Sequence, residues 1–169
     1  MSKTIGIPRA LLFFRYQVFW DTFLTGLGCK IVYSPPTNRQ ILLRGINLAI
    51  DENCLPVKIL LGHIDYLKDK VDCILLPRIV TLSKKEESCN KYMGIYDIAS
   101  NIFRDVTFIE YSISERDNET QFMAYFKLGM KLSRNPIRVI RAYLLAKKRL
   151  TENQIEHIKQ QNEKLSQGK

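Results

Sequence analysis

The chain has 169 residues, 46% of them hydrophobic and 25% charged, which is the size and composition of one ordinary globular domain. This composition excludes a disordered tail, a collagen and a low-complexity linker. The chain has no apolar run of the roughly 18 residues that span a bilayer and no signal peptide at its start, so we expect a cytoplasmic protein.

The first half of the sequence alternates short apolar runs, typical of strands, with segments of helical periodicity. Gly26 and Gly28 supply a helix stop, and Thr37 and Gln40 have the spacing of a capping box. The predicted elements are, in chain order, a strand at 4–7, a helix at 10–27, a strand at 30–34 and helices at 38–50 and 57–67.

The second half begins with residues 71–76, a nearly continuous apolar run that predicts a strand covered on both faces and ended by Pro77. Residues 81–93 are polar and charged. Helices follow one another towards the end of the chain, with a break at Asn135 and Pro136 and a new cap at Thr151. The predicted elements are helix 92–103, strand 106–111, helix 119–132, a helix from the break to 150, and a last helix that Thr151 and Gln154 cap.

Strands that alternate with helices predict an α/β fold, because such crossovers are right-handed and place the strands in parallel. We expect a Rossmann-like or flavodoxin-like three-layer sandwich with a mostly parallel four-stranded sheet and a C-terminal helical extension. The α/β domain is predicted over residues 1–118 and the basic helical extension over 119–169. Ligands of such sheets bind at the carboxyl ends of the strands.

The formal net charge of +9 is concentrated in the helical extension. Residues 1–126 hold 15 basic and 14 acidic groups, whereas residues 127–169 hold 11 basic and 3 acidic groups. This pattern is typical of a solvated helix face, and it also fits an anionic partner or an interface with a further segment. Nucleic acid is the less favoured partner, because few aromatic residues are interleaved with the basic ones.

Two nucleotide-binding classes have no support in the sequence. No GxGxxG motif follows the first strand, and no GxxxxGK[ST] motif occurs anywhere in the chain. We therefore do not expect ATP hydrolysis by this chain.

The four cysteines fall into two groups. Cys73 lies within the most apolar strand and Cys29 before the second strand, so both are predicted to be structural. Cys54 and Cys89 lie in polar, loop-like segments at the expected ligand edge, and Cys54 is near a helix N-terminus that would favour a thiolate. They are candidate metal ligands, although two thiolates do not complete an iron–sulfur site.

Other polar residues allow two interpretations each. Arg9 and Arg78 follow prolines at strand ends, where a guanidinium could bind a phosphate or carboxylate. The alternative is a pairing with Asp51, Glu52 or Asp97. His63 is predicted to lie on a helix surface or to cap a helix, and His157 to be exposed.

Six segments together resemble one known family. In order they are IGIPR (5–9), SPPTN (34–38), DENCLPVK (51–58), GH (62–63), PRIV (77–80) and CNKYMG (89–94). They are similar to the activase-related branch of the 2-hydroxyacyl-CoA dehydratase and benzoyl-CoA reductase superfamily, over about residues 4–150. One departure is Asn90, which stands where the family usually has the proline of a Cys-Pro-Lys sequence.

The resemblance implies an iron–sulfur protein of anaerobic metabolism with Cys54 and Cys89 as ligands of a [4Fe–4S] or double-cubane cluster. It also implies a separate ATP-hydrolysing activator that delivers electrons. A second α/β domain or a partner subunit is expected to complete the cluster. Arg9, Lys58, Arg78 and Lys91 are the candidate cofactor-binding residues. Lys58 and Lys91 could offset the negative charge of a thiolate or cluster, and the alternative is that they are ordinary solvated lysines.

Two functions follow as expectations. The first is low-potential electron transfer to a CoA thioester or another small substrate through a cluster that this chain shares. The alternative is a non-catalytic module that docks a partner through its basic helices.

Overall fold

A computed structural model describes residues 2–83, 86–114 and 120–167. The strands are β1 (Thr4–Ile7), β2 (Lys30–Tyr33), β3 (Cys73–Leu75), β4 (Arg78–Ser83), β5 (Glu86–Glu87), β6 (Phe108–Ile109) and β7 (Ser112–Ser114). The helices are α1 (Phe13–Gly26), α2 (Arg39–Leu48), α3 (Leu55–Leu67), α4 (Asn90–Met93), α5 (Ile95–Ile102), α6 (Gln121–Leu132) and α7 (Pro136–Gln167).

The central sheet has four parallel strands in the order β2-β1-β3-β6. Successive side chains of a strand point to opposite faces, and both faces of this sheet are covered. Ile5 and Ile7 of β1 face a core that α1, α6 and α7 complete. Ile74 of β3 and the adjacent Leu76 face a second core built with α3 and α5. The predicted three-layer α/β fold is therefore confirmed.

A second, three-stranded sheet in the order β5-β4-β7 is not predicted by the sequence. Pro77 has no N–H group, so it interrupts the β3–β6 ladder. The ladder resumes beyond it, since the N–H of Arg78 donates to the carbonyl of Tyr111 at 2.9 Å. β4 and β7 then continue in parallel, and β5 adds an antiparallel edge within the polar segment.

The C-terminal helices also differ from the expectation. α7 runs without a break through Thr151, where the sequence predicts a new helix. The hydroxyl of Thr151 donates to the carbonyl of Lys147 at 3.1 Å, so it bonds within the helix instead of capping one. Residues 115–119, which include the expected start of α6 and the expected domain boundary, lie outside the described residues.

The cap of α2 is one residue further on than the predicted capping box. Asn38 is the N-cap, and its side-chain oxygen accepts a hydrogen bond from the N–H of Ile41 at 3.0 Å. The Thr37 hydroxyl instead shares a hydrogen bond with His63 Nε2 at 3.0 Å. Asparagine satisfies an orphan N–H group at this position as well as serine or threonine would.

We expect the Asn38→Ala variant to lose about 1 kcal/mol of unfolding free energy, because the N–H of Ile41 loses its partner. Urea unfolding followed by circular dichroism measures the loss. Asn38→Ser is the matched control, because it keeps a capping oxygen and should retain most of the stability. Equal stability of the alanine variant and the wild type would contradict the assigned cap.

Candidate cysteine site

Cys54 occupies the N-cap position of α3. Its backbone is extended, with φ −65° and ψ 156°, and its carbonyl accepts hydrogen bonds from the N–H groups of Val57 and Lys58 at 3.1 Å. Pro56 lies in the first turn, where its missing N–H group costs nothing. The side chain makes no capping bond and is exposed. The thiol is therefore free to bind a ligand at the positive end of a helix of 13 residues.

Cys89 has the same local conformation at the start of the short helix α4. Its φ and ψ are −65° and 150°, and its carbonyl accepts from the N–H groups of Tyr92 and Met93 at 2.9 and 3.0 Å. Its side chain also makes no capping bond and is exposed. The two cysteines thus repeat one arrangement, in which the chain turns into a helix and leaves the thiol outside.

Both cysteines line a single concave pocket of about 370 Å³. The pocket lies where the carboxyl end of β1 leads into α1 and where α3 and α4 begin. Its remaining lining is mostly apolar: Leu11, Leu12, Pro56, Val57, Ser88, Lys91 and Tyr92. The structure therefore brings together the two cysteines that the sequence selects, although 34 residues separate them in the chain.

A polar contact connects the two cysteine loops. Nζ of Lys91 donates to Oδ1 of Asn53 at 3.5 Å, and these residues lie beside Cys89 and Cys54 respectively. Asn53 is buried, which fixes its side chain. Lys58 lies on α3 and donates to the carbonyl of Asp51 at 3.2 Å. The two lysines place positive charge around the cysteine loops, and such charge stabilises thiolates.

The described residues contain no group of three or more histidine, cysteine, aspartate or glutamate side chains that could hold a metal ion. The two thiols alone fit half of the ligand set of a cubane cluster. They fit a site that other ligands complete, and they do not fit a closed tetrahedral metal site within these residues.

Comparison with protein families decides the identity. The model of the family described as "CoA enzyme activase uncharacterised domain (DUF2229)" matches residues 4–169, nearly the whole chain. The chain belongs to this family. The family agrees with the activase-related resemblance of the sequence motifs. Searches of curated proteins and of solved structures returned no significant match.

The two arginines of this CoA enzyme activase domain differ in their partners. Nη2 of Arg78 lies 2.5 Å from the Asp97 carboxylate, and its Nε donates to the carbonyl of Met93 at 3.0 Å. Asp97 was one of the carboxylates expected as an alternative partner. Arg78 therefore ties β4 to the end of α4, next to the cysteine pocket.

Arg9 follows β1 and has no carboxylate partner among the described residues. Its guanidinium carbon lies 5.6 Å from the ring centres of Phe13 and of Tyr33, where cation–π attraction stabilises the charge. Its backbone N–H donates to the hydroxyl of Ser34 at 2.9 Å, and its buried Nε atom has no hydrogen-bond partner within the described part of the chain. This guanidinium remains available to an anion.

His63 is fully buried on α3, so the expectation of a surface or capping histidine is wrong. The neighbouring Gly62 lets α2 approach α3 at Gly45, and that close contact covers the imidazole. Burial, together with the nearby Arg9 charge, lowers the pKa of His63 to about 4. The imidazole is thus neutral near pH 7.

Cys29 and Cys73 lie away from the candidate site, near the amino ends of β2 and β3. Cys73 is buried in the core and Cys29 is half-buried against it, as predicted for structural cysteines. Burial raises the pKa of both thiols, which makes them poor nucleophiles and poor metal ligands at neutral pH. None of the helices in the described ranges combines the length and apolar composition that a membrane crossing requires.

Proposed function

We propose that this CoA enzyme activase domain supplies Cys54 and Cys89 as thiolate ligands of an iron–sulfur cluster, either [4Fe–4S] or double-cubane. The remaining ligands come from a second α/β domain or a partner subunit. The observation that carries the proposal is the shared pocket, into which two exposed thiols from distant segments open.

The surroundings of the thiols support this chemistry. The N-terminus of α3 and the side chain of Lys91 favour negative charge, which a thiolate-bound cluster carries. The lining of the pocket is mostly apolar, so a second domain or a partner subunit that covers it would exclude water from the cluster, and a low dielectric lowers the reduction potential of a cluster. The cluster when bound would supply electrons at low potential.

The electron acceptor in this proposal is a CoA thioester or another small substrate, and the donor is a separate ATP-hydrolysing activator. Arg9 is a candidate to bind an anionic group, since it has no carboxylate partner among the described side chains, although it is not among the residues that line the cysteine pocket. Lys58 and Lys91 add positive charge beside the pocket. Arg78 could take part only by exchanging its ion pair with Asp97.

Anaerobic reconstitution with iron and sulfide tests the proposal. An added small thiol such as 2-mercaptoethanol occupies the coordination positions that this chain leaves open. We expect iron and acid-labile sulfide to bind the wild type in equal amounts and to be lost in Cys54→Ser and in Cys89→Ser. Cys29→Ser is the matched control, because it removes one thiol far from the pocket and should leave cluster binding unchanged.

Iron uptake that neither Cys54→Ser nor Cys89→Ser reduces would contradict the proposal, and so would the absence of any uptake. A docking module would then be the better description. That second candidate has its own support in α7, which exposes large apolar side chains over its whole length.

A further inference from the structure

The first half of α7 is buried on one side, whereas its second half is exposed all round. One side of its first half packs on α1 and α6 through Val139, Ala142, Tyr143 and Ala146, which are all buried. From Thr151 to Leu165 the side chains described are exposed, apart from the half-buried Asn153. The second half of the helix therefore extends beyond the folded core. Most helical stability in proteins comes from packing an amphipathic face, so a partner would stabilise these four turns.

The exposed side of α7 carries a seven-residue repeat. Ile137, Leu144, Ile158 and Leu165 are 63%, 59%, 57% and 72% exposed, and they follow one another at multiples of seven. Ile155, three residues before Ile158, is 49% exposed. Seven residues make two turns at 3.5 residues per turn, which is the period of a coiled-coil seam. Thr151 interrupts the repeat, and Ile140 and Leu145 are exposed beside it in the first half of the helix.

The repeat assigns heptad positions to the second half of α7. Thr151, Ile158 and Leu165 occupy d positions, while Ile155 and Asn162 occupy a positions. Ile155 at a together with Ile158 at d would also suit three or four strands, whereas the single asparagine at a, Asn162, fixes both register and a two-stranded state because it pairs with its own copy. Such a seam is self-complementary, since each residue meets the same residue of a second chain.

The charges flanking the seam also suit a second copy. In a parallel dimer each g position faces the e position five residues later in the other chain, which pairs Lys147 with Glu152 and Gln154 with Lys159. The first pair is attractive, it lies at the start of the seam, and Glu152 would share it with Lys148 of its own helix, 3.8 Å away. Neither pair sets like charges together. Arg141 and Lys148 hold the a positions of the first half, so the two chains separate from Lys147 towards Arg141, where α7 packs on its own domain.

A polyanionic occupant fits this segment less well. The basic residues of the extension are concentrated before residue 150, whereas residues 151–167 hold three glutamates and two lysines. Nucleic acid or an acidic membrane surface would prefer the first half of α7. An apolar seam with mixed charges at its edges is what another amphipathic helix requires.

From these observations we infer that residues 151–165 of α7 form a parallel two-stranded coiled coil with a second copy of this chain. The assembly would carry two cysteine pockets, one on each domain. This inference goes beyond the proposed cluster function and does not depend on it.

Sedimentation equilibrium of the reduced, metal-free full chain over a concentration series tests the inference. We expect the mass to rise from one chain of 19.7 kDa to two chains as the concentration increases. The double variant Ile155→Glu/Ile158→Glu places four carboxylates in the seam and should remain a monomer throughout. His157→Glu/Gln160→Glu is the matched control, because it adds the same two glutamates at c and f positions and should still dimerise.

Circular dichroism and the urea midpoint show whether each variant keeps its domain, which the buried half of α7 stabilises independently. The variant Asn162→Val provides a second readout: it should associate several-fold more tightly and form species larger than a dimer, because the register-fixing pair is gone. A mass of one chain at every concentration would overturn the inference. A dimer that the isoleucine double variant leaves intact would also overturn it.

Discussion

We expect Gly62→Ala to lower the free energy of unfolding by at least about 3 kcal/mol, although alanine is the better helix former. Gly62 of α3 and Gly45 of α2 face each other where the two helices cross. A β-carbon at Gly62 would overlap the carbonyl oxygen of Ile41, and one at Gly45 would overlap the carbonyl oxygen of Lys58. Either substitution would force the helices apart.

The cost is large because the obstructing atoms belong to helix backbone. A flexible side chain can rotate away from an added methyl group, but a hydrogen-bonded carbonyl cannot move without its helix. Separating α2 from α3 would loosen Ile41 and Leu61, which are both buried, and would expose His63. We therefore expect Gly45→Ala to be about as destabilising as Gly62→Ala.

Gly94→Ala is the matched control for this prediction. Gly94 lies between α4 and α5, and a β-carbon there would meet its nearest neighbour, the Asn90 carbonyl, at an ordinary 3.5 Å. Because its φ of −87° suits any residue, alanine should be neutral or slightly stabilising. Urea unfolding of the three variants provides the comparison. The crossing would be less tight than the structure indicates if Gly62→Ala proved as stable as Gly94→Ala.

The central sheet could be predicted from the sequence because its strands are short apolar runs, and a proline follows each of the first three. Residues 4–7 and 30–33 form strands almost where the pattern places them. The rule that parallel strands share a carboxyl edge then brought the loops of Cys54 and Cys89 to one side of the fold. The structure adds that both thiols open into the same pocket, which spacing in the chain could not establish.

The second sheet was not predicted, because Pro77 is an ordinary end signal for a strand. β4 nevertheless contains Ile79, Val80 and Leu82, which are typical strand residues, and the β3–β6 ladder continues past Pro77 into it. Only β5 comes from the polar segment, where pairing with β4 outweighs local composition. The helix break that the sequence predicts at Thr151 does not occur. A threonine followed three residues later by glutamine resembles a cap, but nothing at this position stops an established helix.

Two glycines that are distant in the sequence, Gly45 and Gly62, indicate the burial of His63. A histidine on its own is more often exposed, whereas the adjacent Gly62 and the distant Gly45 mark a helix crossing only when considered together. The packing of α2 on α3 is a tertiary contact between segments that are distant in the sequence. This contact accounts for both the burial of His63 and its hydrogen bond with Thr37.

The stability of the protein should depend strongly on pH between about 4 and 6.5, because of His63. Burial and the Arg9 charge lower the pKa of the folded imidazole to about 4, against 6.5 for the unfolded chain. Between these values the unfolded chain binds a proton that the folded protein does not, so stability increases with pH across this window. The full contribution is present above pH 6.5 and is lost as the pH falls towards 4.

The size of the effect follows from the pKa difference, which corresponds to about 3 kcal/mol. Asp65 acts outside this window. Burial raises the pKa of its carboxyl, but the hydrogen bonds and charges of Lys68 and Arg44 outweigh burial and hold the pKa below its usual 3.8. Among the described groups with a shifted pKa, the slope between pH 4 and 6.5 therefore belongs to His63.

Urea unfolding at several pH values from 4 to 7 measures this slope in the wild type and in His63→Gln. Glutamine can still hydrogen-bond Thr37 but does not titrate, so the variant should lose most of the slope even if it is less stable at every pH. His157→Gln removes the other histidine, which is exposed on α7, and should keep the wild-type slope. A slope that persists in His63→Gln would have to come from other groups. His63 of the wild type would then take up its proton in the folded protein as readily as in the unfolded chain. The crossing of α2 and α3 would then be open enough to admit water beside Arg9.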